Sequence, residues 1–168
     1  MADASDKGRY HPRRMEKEIT DLATMLAIIR GQKILTLAMC LDGRPYLVTM
    51  DYGFSEAEDC FYFHCALEGK KIDILRANPN VWGQVLEDRG YLVGKCSHAY
   101  RTVMFEGVAE MVEDADTKKQ ALELMIQQLE PDPAPLMSKL DAKAIAGTGI
   151  IRIRVTAMSA KQSPAPKK

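Results

Sequence analysis

From residue 33 the sequence reads KILTLAMCL (33–41), then DG (42–43), then RPYLVTMDYGF (44–54). Two extended apolar runs joined by Asp-Gly are typical of a β-hairpin, because the residues of its tight turn need positive φ. In the first run the even-numbered positions are nearly as apolar as the odd-numbered ones, so both faces of this strand need cover. We expect a barrel interior to cover one face and a partner subunit to cover the other.

Three helices are predicted around this hairpin. One spans about 20–30, with Thr20 as its N-cap, and a second spans about 68–77. A third, amphipathic helix begins after a cap at Asp114 or Asp116.

The remaining strands are predicted from short apolar or alternating runs, at 60–65, 81–86, 100–112 and 149–155, with a loop around 90–98. With the hairpin this makes six strands, joined mostly by short connections. Such an order favours a mainly β fold, a small antiparallel barrel with flanking helices, over alternating βα units.

Composition bounds the class of protein. The chain has 168 residues, 46% of them hydrophobic, which suits one domain with a real core. We predict a flexible N-terminal arm at 1–14, one domain at 15–157 and a disordered tail at 158–168. With 23 basic and 23 acidic residues, no global field favours nucleic acid or a membrane surface. Because no apolar leader and no run of membrane-spanning length occur, a cytoplasmic location is expected.

The four cysteines, Cys40, Cys60, Cys65 and Cys96, form no CxxC pair and no cluster with metal-ligand spacing. Cys60 and Cys65 lie in one predicted strand at positions that face opposite sides. No metal site is predicted, and the cysteines are interpreted as reduced thiols.

The segment HCALEGKK (64–71) carries the most chemical information. A strand ends, Gly69 follows, and a helix begins with Lys70 and Lys71. Lysine in the first turn opposes the helix macrodipole, so this arrangement adds little to helix stability. It is useful where free backbone N–H groups and two ammonium groups bind a phosphate or another anion. Two solvated lysines are the alternative interpretation.

Two more side chains are candidates for a site. His64 precedes Lys70 by a few residues, and it lies either beside the bound anion or in a purely structural position. Arg101 either offers a planar donor to a ligand or pairs with a surface carboxylate. No GxGxxG, Walker or nucleophile-elbow motif occurs, so neither a Rossmann nor a P-loop site is indicated.

Three segments, DGRPYLVTMDYGF (42–54), FYFHCALEGKKIDILRANPNV (61–81) and YRTVMFEGVAEMVED (100–114), resemble the pyridoxamine 5′-phosphate oxidase-related flavoproteins. The resemblance covers roughly residues 15–157 and is strongest to the branch of the nitroimidazole-resistance (Nim) proteins. It implies a six-stranded antiparallel split β-barrel that forms a homodimer, with one FMN at each end of the subunit interface.

The resemblance also implies the residues of the flavin site. The strand Tyr46, Leu47, Val48, Thr49 and Met50 would run beside the isoalloxazine ring and give it mainly backbone contacts. The strand end Phe63, His64 and Cys65 would lie under the flavin, and Gly69 with Lys70 and Lys71 would hold the FMN phosphate. The stretch Tyr100, Arg101 and Thr102 would approach the flavin from the partner subunit.

The function predicted on this basis is an FMN-dependent oxidoreductase that passes electrons from NADH or NADPH to a small nitro compound or quinone. The flavin would carry the redox chemistry and the protein would bind and orient it. His64 is the candidate catalytic residue, as a proton donor or substrate orienter. No convincing counterpart of the C-terminal substrate-binding segment of true pyridoxamine 5′-phosphate oxidases is found, and this departure puts turnover of pyridoxamine phosphate in doubt.

A second hypothesis belongs to another class of protein. The chain would be a flavin- or haem-binding module, such as a carrier, a sensor or a haem-handling protein, without turnover of its own. His64, Cys65 or Cys96 would then be an axial haem ligand. FAD or a deazaflavin in place of FMN also stays open.

Overall fold

The computed structural model describes residues 15–163. Within that range the chain forms eight β-strands and five α-helices after a 3-10 turn at Met15–Lys17. The helices are α1 (Leu22–Gly31), α2 (Lys70–Ala77), α3 (Ala115–Leu129), α4 (Ala134–Met137) and α5 (Ala142–Ala146). The strands are β1 (Glu18–Ile19), β2 (Ile34–Leu41), β3 (Arg44–Asp51), β4 (Gly53–Ser55), β5 (Cys60–Cys65), β6 (Asn80–Leu92), β7 (Ser97–Val112) and β8 (Gly149–Ser163).

The strands form one antiparallel sheet in the order β3-β2-β6-β7-β8-β5-β4, and β1 pairs with β8. β3 and β4 stand at opposite ends of this strand order, but only Tyr52 separates them along the chain. The two ends of the sheet therefore meet. Among the described residues β3 and β5 do not pair, and the barrel is split between them. This confirms the expected antiparallel split barrel with flanking helices. It has eight strands rather than six because β1 and β4 are short additions.

The barrel interior is an apolar core with stacked aromatic rings. Phe61 stacks on Phe105 with ring centroids 4.2 Å apart. Gly83 makes room for this stack, since a Cβ there would lie 2.0 Å from Cζ of Phe105. Leu35 and Leu37 of β2 are buried in the same core, so the barrel covers one face of β2 as predicted.

The helix starts differ in part from the predictions. Asp21, not Thr20, caps α1, because its carboxylate accepts a hydrogen bond from the backbone N–H of Thr24 at 2.8 Å. Asp114 caps α3 in the same way, which confirms one of the two predicted caps. The second helix begins at Lys70 rather than near residue 68.

Three strands are longer than the sequence pattern indicated. β6 and β7 both extend into the region predicted as a loop at 90–98, and only residues 93–96 separate them. The prediction of a disordered tail from residue 158 is wrong for 158–163, because these residues continue β8 and pair with β7. Pairing between neighbouring strands holds them there, although their sequence lacks apolar alternation. The predicted arm at 1–14 and the last residues, 164–168, lie outside the described residues.

Candidate functional site

A groove of about 290 Å³ lies where the barrel is split. It is bounded by β3, by the end of β5 and by the start of α2. Its lining consists of Tyr46, Val48, Cys65, Ala66, Glu68, Gly69, Lys70, Lys71 and Ile72. The structure therefore brings together the hairpin strand and the lysine pair, which are separated by about twenty residues in the sequence.

One wall of the groove is the edge strand β3. It pairs with β2 on one side, and no strand of the described chain pairs with it on the other. The backbone N–H and C=O groups on its open side therefore carry no ladder hydrogen bonds and can bind a ligand edge. Tyr46 and Val48 face the groove from this strand.

The start of α2 forms the floor of the groove at its basic end. Gly69 precedes the helix with a φ of +130°, and no side chain caps the helix start. A Cβ at Gly69 would meet no atom within 4 Å, so the backbone conformation, not crowding, requires glycine here. The backbone N–H groups of Lys70 and Lys71 therefore have no side-chain cap, and both residues line the groove, as an anion site needs.

The two lysines lie against β3 rather than in open solvent. The Lys70 ammonium nitrogen lies 4.4 Å from the centroid of the Tyr46 ring. The Lys71 ammonium nitrogen lies 3.1 Å from the Met50 sulfur and 5.5 Å from the centroid of the Phe63 ring. Both positive charges are therefore held near one end of the groove by soft and aromatic groups, with no carboxylate of the described residues paired to either.

Cys65 lines the groove at the end of β5 and is half-buried. Burial raises the pKa of its thiol, while the nearby positive charges of Lys71 and Lys118 act in the opposite direction. Its sulfur lies close to the backbone of Gly149, because a Cβ at Gly149 would be 3.1 Å from it. Burial thus opposes ionisation of the Cys65 thiol, as in a structural rather than a reactive cysteine.

Three residues that were predicted for the flavin site, two in β3 and one in β5, do not face the groove. Leu47 and Thr49 lie opposite Ala38 and Thr36 of β2, on the side of the sheet away from the groove. His64 neighbours Cys65, but successive side chains of a strand project to opposite faces. His64 is exposed and is not part of the groove lining.

The segment Tyr100–Thr102 is distant from the groove within one protomer. None of these three residues lines the groove, and their strand β7 is separated from β3 by β6 and β2 in the sheet. The Arg101 guanidinium donates to the Glu87 carboxylate, and this pairing holds the pKa of Glu87 below its usual range. Thr102 is buried and donates to the backbone carbonyl of Val85 at 3.0 Å.

Three lining residues were missed by the sequence analysis, namely Ala66, Glu68 and Ile72. Ala66 and Glu68 lie in the connection between β5 and α2, within the segment HCALEGKK (64–71). Their position beside Gly69 is the signal that identifies them, since any anion at the helix start must contact this connection.

Another groove of similar volume, about 250 Å³, lies beside the C-terminal end of α2. Its acidic group, Glu110, already accepts from Arg152 and Arg154 of β8. Because that carboxylate is neutralised and the rest of the lining is mainly apolar, we place the candidate site at the groove with the lysine pair.

The outer face of the sheet is the side of β2, β3 and β6 that points away from the core. Ala38 lies between Leu47 on β3 and Trp82 on β6, and all three belong to this face. Trp82 is 50% exposed, and Leu47 and Ile34 are also exposed. A contiguous apolar surface of this kind is typical of a protein interface.

The sequence matches the pyridoxamine 5′-phosphate oxidase family over residues 21–162. The chain therefore belongs to this family, as the resemblance of its motifs predicted. No curated protein matches the sequence significantly. No helix in the described part of the chain is long and apolar enough to cross a membrane. Residues 15–163 hold no group of three or more His, Cys, Asp or Glu side chains placed to bind a metal ion.

Three solved structures are similar to this chain. A candidate 5-nitroimidazole antibiotic resistance protein from Bacteroides thetaiotaomicron is 26% identical, with 86% of each chain covered and a TM-score of 0.74. The flavocytochrome Anf3 from Azotobacter vinelandii is 20% identical, with 94% of this chain and 74% of the other covered and a TM-score of 0.80. An FAD- and haem-binding protein from Mycobacterium smegmatis is 18% identical, with 90% and 76% covered and a TM-score of 0.77. The last two support the fold.

Proposed function

We propose that this protein binds FMN in the groove between β3 and α2 and works as an FMN-dependent oxidoreductase. The observation that carries the proposal is the position of Lys70 and Lys71. Both lie at an uncapped helix start, beside the edge strand β3, with no carboxylate of the described chain to neutralise them. A phosphate group would satisfy the helix N–H groups and both ammonium groups at once.

The rest of the groove suits the other end of the cofactor. The open backbone edge of β3 offers donors and acceptors in a row, which is what the heteroatom edge of an isoalloxazine ring requires. Tyr46, Val48 and Cys65 provide a less polar surface for the ring. The residues present therefore fit a flavin mononucleotide, with its phosphate at Lys70 and Lys71.

A homodimer is part of the proposal, because the groove of one protomer is small and open. Its volume of about 290 Å³ is at the lower limit of the roughly 300–1,000 Å³ of ligand pockets. The exposed outer face around Trp82 needs a cover that a second copy of the chain can provide. In such a dimer, Tyr100, Arg101 and Thr102 would reach the partner's flavin rather than their own.

Bound FMN would supply the redox chemistry, taking a hydride from NADH or NADPH and passing electrons to a small nitro compound or quinone. The protein's own residues would hold the phosphate, fix the ring along β3 and exclude water from one side. His64, which is exposed at the end of β5 on the face opposite Cys65, is proposed to donate a proton to the acceptor or to orient it.

The absorption spectrum of the purified protein tests the proposal directly. A yellow protein with flavin bands that bleach on addition of NADH or NADPH under anaerobic conditions, and recover with a nitro-aromatic acceptor, is the expected result. A colourless protein that binds no added FMN in a fluorescence titration would overturn it.

A second candidate function follows from the fold neighbours that bind haem with or beside a flavin. The chain would then be a flavin- or haem-binding module without turnover, with exposed His64, half-buried Cys65 or exposed Cys96 as axial ligand. A red-brown preparation with a Soret band would support haem. A yellow preparation that no nicotinamide bleaches would support a flavin module.

A further inference from the structure

Glu68 is the acidic side chain that the described chain places in the lining of the groove between β3 and α2. It is exposed, and it takes part in none of the salt bridges or side-chain hydrogen bonds of the described residues. The ammonium group of Lys70 lies against the Tyr46 ring instead. That of Lys71 lies against the Met50 sulfur. The Glu68 carboxylate is therefore available to a ligand in the groove.

The connection between β5 and α2 links the two ends of the groove. It begins after Cys65, on the side proposed for the isoalloxazine ring, and ends at Gly69, where the helix start is proposed to bind the phosphate. Ala66 and Glu68 line the groove, whereas Leu67 between them does not and is 45% exposed. The lining residues of this connection therefore lie alongside the middle of the ligand, which in FMN is the ribityl chain.

The chemistry of a carboxylate restricts what Glu68 can contact there. An ionised carboxylate only accepts hydrogen bonds, and the phosphate dianion of FMN has no proton to donate to it. Glu68 therefore cannot share the role of the two lysines. The ribityl hydroxyls are donors, and a hydrogen bond from a hydroxyl to a charged acceptor is stronger than one to a neutral acceptor. The hydroxyls are thus the part of FMN that suits this side chain.

The position of Glu68 also limits its repulsion of the phosphate. The carboxylate is exposed, and charges in contact with water interact weakly and are screened by salt. The positive end of the α2 macrodipole favours a negative group just before the first turn. A carboxylate and a phosphate can therefore occupy neighbouring positions at this helix start.

We propose that Glu68 binds the ribityl hydroxyls of the flavin and so selects a polyol chain between ring and phosphate. This inference rests on the proposed flavin function and deepens it, because it assigns a residue to the middle of the cofactor. Lys70 and Lys71 would hold the phosphate, the open edge of β3 would hold the ring, and Glu68 would hold the chain that joins them.

The test compares FMN with an analogue that carries the same ring and the same phosphate on an unhydroxylated pentyl chain. Both ligands are titrated by fluorescence against the full-length protein, stripped of cofactor, and against Glu68→Ala. We expect FMN to bind about tenfold more weakly to Glu68→Ala, because its hydroxyls lose a charged acceptor. The analogue should bind to Glu68→Ala as tightly as to the wild type or slightly more tightly. Glu68→Gln keeps a neutral acceptor and should bind FMN with intermediate affinity.

The matched control is Asp73→Asn, which removes an exposed acidic charge from the first turn of the same helix but outside the groove lining. It should leave both affinities unchanged. Equal FMN affinity of Glu68→Ala and the wild type, or an equal loss for FMN and the analogue, would overturn the inference. Tighter FMN binding by Glu68→Ala would also overturn it, because repulsion would then outweigh any hydrogen bond. A wild-type protein that binds neither ligand would instead overturn the proposed function.

Discussion

The ammonium nitrogen of Lys71 lies 3.1 Å from the sulfur of Met50, which joins the start of α2 to the edge strand β3. A positive charge beside a thioether is weakly held, because sulfur is a poor acceptor. The contact therefore orients the lysine without neutralising it. This leaves its charge available to a ligand in the groove between the two elements.

We expect the double substitution Lys70→Ala and Lys71→Ala to weaken FMN binding by about a hundredfold or more while the chain stays folded. Each charge-assisted contact to phosphate contributes about 1.5–3 kcal/mol, so two lost contacts suffice. Fluorescence titration measures the affinity. The double variant Lys139→Ala and Lys143→Ala removes two exposed charges elsewhere and should bind FMN normally. Unchanged affinity in the first variant would refute the anchor assignment.

The homodimer prediction is tested at the outer face. We expect Trp82→Glu to shift sedimentation from dimer to monomer at micromolar concentration, because it puts a charge into the centre of an apolar interface. Leu22→Glu on α1, also at an exposed apolar residue, should leave the dimer intact. A wild-type protein that sediments as a flavin-loaded monomer would contradict the prediction.

His64→Ala separates a catalytic from a structural histidine. If His64 donates a proton, the variant keeps FMN and its reduction by the nicotinamide, while electron transfer to a nitro-aromatic acceptor slows about a hundredfold. Stopped-flow measurement of the two half-reactions gives both rates. Unchanged half-reactions with a lower melting temperature would assign His64 a structural role. The His64 ring is exposed and is therefore accessible to a small acceptor.

Because Tyr52 is buried, we expect the folded protein to lose stability at alkaline pH. Its buried hydroxyl donates to the backbone carbonyl of Ile29 at 2.6 Å, and burial raises the pKa of the phenol well above its usual value near 10. The folded state therefore keeps the proton at a pH where the unfolded chain has lost it. The contribution to stability is complete below about pH 10 and decreases as the pH rises above that value.

We expect the free energy of unfolding of Tyr52→Phe to be lower by about 1 kcal/mol at neutral pH and to fall less steeply above about pH 10. Chemical denaturation at a series of pH values measures both effects. Tyr91→Phe, at a mostly exposed tyrosine in the β6–β7 hairpin, should reproduce the wild-type slope. Identical slopes for Tyr52→Phe and the wild type would contradict the proposed origin of the effect.

Local sequence patterns determined much of this fold. Asp42-Gly43 predicts the β2–β3 hairpin because few residues adopt positive φ, and both residues do so in the structure. The apolar runs of β2 and β5 and the cap at Asp114 are likewise local in origin. The lysine pair after Gly69 was also visible in the sequence, because it conflicts with the helix macrodipole.

Other features depend on residues that are far apart in the chain. The strand at 158–163 exists because β7 pairs with it, and its own composition does not predict a strand. The site is formed only when the ends of the sheet meet at Tyr52, which brings β3 to α2 and leaves a gap that no strand fills. Lys118 is an ordinary polar residue in the sequence. It is buried in the folded chain, because burial is a property of the assembled barrel and not of any local pattern.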